Sequence, residues 1–244
     1  MGGASPSYSE QAYWENRYLE TKGPFEWYMG YEELAPLLRR HISRESKIMQ
    51  AGVGTSMMDF EMARDGYTSI LGLDFSEGAI AAMMVAHEQL PGVSYRVADC
   101  RDLVDWTSGS FDAIIDKGTL DSALCGDNAT ENARKMLTEC FRVLMPGGLF
   151  MLITYGNPEF RLCHLLPAHL DWEVRFLAIQ KKDPREEHSS LIFGDLIDPA
   201  DSKAVQRANQ QRENHFVYLC WKHKDAHSES KPLTAPLVDD TKAP

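Results

Sequence analysis

Residues 47–74, KIMQAGVGTSMMDFEMARDGYTSILGLD, limit what the rest of the chain can fold into. They hold a short apolar run, a glycine turn at Gly52-Val53-Gly54, an amphipathic segment, a second apolar run and a closing carboxylate, Asp74. That order describes a strand, a crossover helix and a second strand parallel to the first. Glycines in the first turn let a ligand approach the backbone, and an acid closing the second strand can grip two ribose hydroxyls. The unit predicts a nucleoside site.

The same alternation continues downstream. Phe75-Ser76-Glu77 opens a helix through residues 79–90, Pro91-Gly92 stops it, and residues 93–98 form a third strand ending at Asp99-Cys100. Residues 111–116 read as a fourth strand, and Lys117-Gly118-Thr119-Leu120-Asp121-Ser122 crowds polar groups at its end. Residues 128–144 make a long amphipathic helix, with Met136, Leu137, Cys140, Phe141 and Leu144 inward. Met145-Pro146-Gly147-Gly148 predicts a turn, and residues 149–154 a fifth strand.

Strands and helices in alternation imply a parallel sheet with right-handed crossovers and helices on both faces. Ligands of such sheets bind beyond the carboxyl ends of the strands. Gly52, Gly54, Asp74, Asp99 and Asp116 all stand at or just past such ends, so polar chemistry converges on one edge. Residues 170–180 and 214–221 alternate as strands without a long helix between them, and predict an antiparallel hairpin finishing the sheet. The charged stretch between them, 181–213, reads as a surface insertion, either a loop or a short solvated helix.

Composition narrows the partners. With 25 basic against 36 acidic residues the net charge is -11, which disfavours phosphate-backbone affinity, so no direct nucleic-acid partner is expected. An acidic surface is compatible with a basic protein partner. Five scattered cysteines, with no CxxC or Cys/His cluster, suggest neither a disulfide framework nor a metal site, and favour a reducing, cytoplasmic setting. The first residues lack a basic and an apolar region, so no signal peptide is expected, and no apolar run approaches a membrane span.

Ahead of the first strand, Tyr13, Trp14, Arg17 and Tyr18 share one helical face, Gly23-Pro24 breaks the helix, and Phe25-Glu26-Trp27-Tyr28 follows. Residues 32–42 predict another helix, with Leu34, Leu37, Leu38 and Ile42 as its apolar stripe. Position alone suits these aromatics equally to a lid packed on a core and to a cover over a bound cofactor.

Taken together, Ala51-Gly52-Val53-Gly54-Thr55-Ser56, Asp74, Asp99-Cys100 and Pro146-Gly147-Gly148 resemble the class I, seven-stranded S-adenosylmethionine-dependent methyltransferases. Tyr13-Trp14, Arg17-Tyr18, Phe25-Glu26-Trp27-Tyr28 and Asp116-Lys117-Gly118-Thr119-Leu120-Asp121 are similar to the subset that methylates lysines of translation elongation factor 1-alpha. One departure is the first turn, QAGVGTS, where those relatives carry an LGCGNS-like form; both glycines remain.

The resemblance implies an α/β fold: a doubly wound, mostly parallel, seven-stranded Rossmann-like sheet with an antiparallel final hairpin and an N-terminal helical lid. It divides the chain into a flexible lead-in (1–9), a methyltransferase domain (10–222) and a disordered tail (223–244). Within the domain it implies a lid at 10–45, a cofactor-binding core at 46–160, and C-terminal strands with the insertion at 161–222. S-adenosyl-L-methionine is the implied cofactor. Gly52 and Gly54 would lie against its methionine and ribose, Asp74 on the ribose hydroxyls, Phe75 on adenine, and Asp99 and Cys100 at the adenine edge. Trp14, Tyr18 and Trp27 would close over it, and Asp116 would stand near the methionine amine. Asp116, Thr119 and Asp121 are the candidates for steering a lysine amine from a protein substrate. A small-molecule methyltransferase and a cofactor-binding, catalytically silent partner remain alternatives, because fold does not fix substrate.

Overall fold

The computed structural model describes residues 8–21, 23–88, 90–179, 193–211 and 214–225. The parts of the predicted lead-in at 1–7, insertion at 181–192 and 212–213, and tail at 226–244 lie outside the described residues, as does residue 180 of the predicted strand.

Seven strands form one sheet in the order β3-β2-β1-β4-β5-β7-β6. β1 (Ile48–Ala51), β2 (Ile70–Asp74), β3 (Val93–Val97) and β4 (Phe111–Lys117) run parallel with β5 (Leu144–Thr154), while β7 (His215–Lys222) lies antiparallel between β5 and β6 (Trp172–Ile179). The expected mostly parallel sheet with a closing hairpin is what the chain forms. β1 is buried along its whole length, as befits a central parallel strand with both faces covered, whereas β3 is half exposed at the sheet edge.

Helices cover both faces. One core gathers α6 (Ala129–Val143) and α7 (Pro158–Leu165) over Met49, Phe150, Trp172 and Phe216; the other gathers α2 (Tyr31–His41) and α3 (Met58–Arg64) over Ile48, Ile115, Met151 and Val217. α1 (Gln11–Glu20) rides on α4 (Glu77–Ala86), near the ends of the parallel strands. The Ser76 hydroxyl starts α4 by accepting from the Ala79 N–H at 3.1 Å.

Two expectations change, and the insertion takes one of its two expected forms, a short helix. Residues 144–148 do not form a simple turn: β5 already pairs at Leu144, and the Pro146-Gly147-Gly148 segment is taken up where the register jumps from Phe111↔Leu144 to Ala113↔Leu149. The insertion contains α8 (Ser202–Gln210), started by Asp201, whose carboxylate accepts from the N–H groups of Lys203 and Ala204 at 3.1 and 3.0 Å. The chain does not leave the fold at residue 223, since the His223 N–H donates to the Asp171 carbonyl at 3.1 Å.

Candidate active site

The strand order reverses between β1 and β4, and a crevice opens beyond their carboxyl ends. It is a cavity of about 930 Å³ open to solvent, floored by the turn after β1 and roofed by the N-terminal aromatics. Gly52 and Gly54 both adopt left-handed backbone, at φ 67° and 55°. A Cβ on Gly52 would collide with the Thr119 side chain, and one on Gly54 would lie 2.6 Å from the Tyr18 hydroxyl. Only glycine lets the turn pass between the sheet and the lid.

Asp74 ends β2 with its carboxylate at the cavity, 5% exposed. It accepts from the Gly54 N–H at 2.8 Å and the Ser76 N–H at 2.9 Å, which pins the glycine turn to the neighbouring strand. Burial outweighs these bonds and pushes its pKa up to about 6. Phe75, Asp99 and Cys100 line the same wall. The Asp99 carboxylate is held by Arg101, whose guanidinium approaches to 2.6 Å and whose Nη1 donates to the Asn132 amide oxygen at 3.0 Å.

The roof is an aromatic assembly. Trp14, Tyr18, Phe25 and Trp27 line the cavity, with the Trp14 and Tyr18 rings stacked 5.8 Å apart. The Arg17 guanidinium sits over Phe25 at 4.8 Å and near Trp27 at 5.7 Å. Two carboxylates that the sequence reading did not single out tie this roof down. Glu15 accepts from the Ser76 hydroxyl at 3.0 Å and from the Glu77 and Gly78 N–H groups at 2.7 and 3.2 Å, at the positive end of α4. Glu26 accepts from the Met57 N–H at 2.6 Å, from the Ser56 hydroxyl and from the Lys117 ammonium. Lys117 also donates to the Trp27 and Met29 carbonyls at 3.2 Å each, so it is a buried tie between β4 and the roof.

The DKGTLD segment departs from expectation. Asp116 is fully buried and does not line the cavity. Its two oxygens accept the N–H groups of Thr119 and Leu120 at 2.9 and 3.0 Å, starting the short α5 (Thr119–Ala123) after a left-handed Gly118. Burial, then the neighbouring charge of Asp121, raises its pKa to about 8. Asp121 is also buried away from the cavity, accepting from the Tyr28 hydroxyl at 2.6 Å, from the Thr154 hydroxyl and from Arg161. Thr119 does line the cavity, but its hydroxyl donates to the Ala51 carbonyl at 2.7 Å. The two carboxylates therefore shape the wall from behind instead of facing the crevice. The remaining predicted cofactor residues, Trp14, Tyr18, Trp27, Gly52, Gly54, Asp74, Phe75, Asp99 and Cys100, are brought to one cavity.

Comparison with known proteins agrees with this geometry. Residues 49–152 match the family model described as a methyltransferase domain. Over 178 residues the chain is 32% identical to EEF1A lysine methyltransferase 4 of Mus musculus, covering 69% of each protein. Over 180 residues it is 32% identical to the mitochondrial citrate synthase-lysine N-methyltransferase of Pongo abelii, covering 64% of this chain and 72% of that protein. In fold it is similar to an S-adenosylmethionine-dependent methyltransferase of Methanosarcina mazei, with a TM-score of 0.55 at 18% identity, over 77% of this chain and 97% of the other.

The crevice suits S-adenosylmethionine on its own chemistry. It offers a buried carboxylate for a diol, a left-handed turn that admits a ligand to the backbone, an apolar ring beside that carboxylate, and aromatic faces for a sulfonium. Among the described residues, no group of three His, Cys, Asp or Glu side chains could hold a metal ion, and no helix is long and apolar enough to cross a membrane.

Proposed function

From a chain that belongs to the S-adenosylmethionine-dependent methyltransferases, we propose a protein-lysine N-methyltransferase whose substrate is translation elongation factor 1-alpha. One observation carries the choice of lysine, and the factor is the substrate named for the relative matched over 69% of each protein. The two similar relatives named above are named for different protein substrates, yet both for lysine as the methyl acceptor. The acceptor chemistry is thus common to them, and the DKGTLD segment and the aromatic roof are the parts of this chain that the reading draws on.

The cofactor supplies a methyl on a sulfonium, which a neutral amine can take by in-line attack. We assign Asp74 to the ribose hydroxyls, Phe75 to the adenine face, Asp99 and the Cys100 backbone to the adenine edge, and Gly52 and Gly54 to the methionine and ribose. Trp14, Tyr18 and Trp27 cover the reacting groups and exclude water. A lysine amine, with an ordinary pKa of about 10.4, must shed its proton before it attacks. An uncompensated carboxylate beside it would hold it as ammonium. Here Asp121 is paired with Arg161, and Asp116 is occupied by two backbone N–H groups, so neither opposes that loss.

The test is transfer of labelled methyl in a cell lysate and to purified elongation factor 1-alpha, with products mapped by mass spectrometry. Label on a lysine of the factor is the expected result. Label confined to small molecules would overturn the reading, as would cofactor binding without any transfer.

The assignment of Asp74 also predicts a pH dependence. A diol donates to the ionised carboxylate, so a carboxyl whose pKa stands at about 6 must lose its proton as the cofactor binds. Affinity for S-adenosylhomocysteine should therefore fall about tenfold from pH 7 to pH 5, read by calorimetry with one proton released on the acid side. Constant affinity across that range would remove Asp74 from the ribose.

A further inference from the structure

Tyr28 stands apart from the rest of the roof. Its φ is 66°, the one left-handed non-glycine among the described residues, and an aromatic side chain holds that conformation only when its surroundings impose it. Its ring packs against Gly118 and Trp27, both of which line the cavity, while Tyr28 itself stands just behind them and is partly exposed. On its other side are the rings of His215 at 4.9 Å and Tyr155 at 6.2 Å, and Tyr155 is 57% exposed. Tyr28 thus lies between the cavity and the surface at the ends of β4 and β5.

The polarity of its hydroxyl is fixed. Its proton goes to Asp121 at 2.6 Å, and Asp121 is itself oriented by Arg161 and the Thr154 hydroxyl. Asp121 and Arg161 are each 6% exposed. A carboxylate can only accept, so the Tyr28 hydroxyl must donate inward, and toward any other group its oxygen can only accept.

We infer that Tyr28 is a catalytic residue that accepts an N–H from the acceptor amine, and that Asp121 and Arg161 are positioning residues fixing the direction of that bond. The inference rests on the lysine reading above. A neutral amine has two N–H groups and one lone pair. Giving one N–H to Tyr28 leaves the lone pair free to face the methyl, whereas a hydroxyl donating to the nitrogen would occupy the pair that must attack. The same arrangement selects nitrogen or oxygen acceptors that carry a hydrogen, and disfavours carboxylates.

Three variants of the full chain test this with purified elongation factor 1-alpha. Tyr28→Phe keeps the ring and removes the oxygen; kcat should fall about tenfold with cofactor affinity unchanged, and the melting temperature should drop only about 5 °C because Asp121 keeps Arg161 and Thr154. In Asp121→Asn the amide oxygen turns to the charged Arg161, leaving the NH2 to donate to Tyr28 and releasing the tyrosine proton toward the amine. Its kcat should fall further, about a hundredfold. Adding Tyr28→Phe to Asp121→Asn should then raise kcat back to the Tyr28→Phe level, a rescue that a merely structural role would not produce. Should Asp121→Asn not fold, Tyr28→Phe alone decides. Tyr28→Phe at the wild-type rate, or a double variant no faster than Asp121→Asn, overturns the inference. Wild-type transfer to lysine in the same preparation separates the two readings. With it, such results remove only the role of Tyr28; without it, the lysine reading falls and this inference with it.

Discussion

Asp74→Asn is expected to weaken S-adenosylmethionine binding about a hundredfold while the chain stays folded. Two hydroxyls donating to one ionised carboxylate are charge-assisted bonds, each worth roughly 1.5–3 kcal/mol. Losing about 3 kcal/mol of that is close to two decades in Kd. Stability should move far less, because two changes oppose each other. The amide keeps an acceptor for only one of the Gly54 and Ser76 N–H groups, which costs roughly 1–3 kcal/mol. It also removes a carboxylate that burial holds at a pKa of about 6, so the ionised form no longer has to be kept out of water. Calorimetry with S-adenosylhomocysteine and a thermal melt of the same preparation check both halves. Unchanged affinity would move the ribose site elsewhere. A collapsed melt without ligand would mean that Asp74 acts mainly by pinning the glycine turn.

That Asp74 was legible and the DKGTLD carboxylates were not has a physical reason. The position of Asp74 follows from local order: a glycine turn, a crossover helix and a short apolar strand leave little choice of edge, and register carries the residue to its end, where Asp74 pairs with Val97. Asp116 stands one residue before the end of β4, but Gly118 then turns left-handed and a helix begins, so the carboxylate folds back onto its own backbone. An acid three residues ahead of a polar Thr-Leu-Asp segment is a capping signal as well as a chemical one. Reading it only as chemistry assigned it to the crevice.

The ties of the roof could not have been read locally. Glu26 and Lys117 are 91 positions apart, and Asp121 and Arg161 are 40 apart. The first pair exists because the sheet brings the end of β4 under a distant loop, the second because it sets α5 against α7. The α7 helix, which was not anticipated, and α8, one of the two forms expected of the insertion, each carried a local signal. Asn157 precedes Pro158 at the start of α7 and accepts from the Phe160 N–H at 3.3 Å, and Asp201 starts α8 in the same manner. Their apolar stripes are short, so caps were a better guide there than periodicity.

Arg161→Met should cost roughly 3–5 kcal/mol, because it leaves Asp121 as a buried charge with only hydroxyl partners. At about 2–4 °C per kcal/mol for a domain of this size, the melting temperature should fall on the order of 10 °C. The Arg161→Met, Asp121→Leu pair should regain most of that loss, since replacing both members of a buried ion pair by apolar side chains is often nearly neutral. Transferase activity should not return with stability, because the double variant leaves the Tyr28 hydroxyl without its acceptor. Stability measured by denaturant midpoint and kcat measured on the same samples would then separate. If both recovered together, the pair would be serving packing alone; if the single variant melted with the wild type, the ion pair would contribute nothing to the folded state. The separation expected is what distinguishes an ion pair kept to aim a hydroxyl from one kept to hold α5 and α7 together.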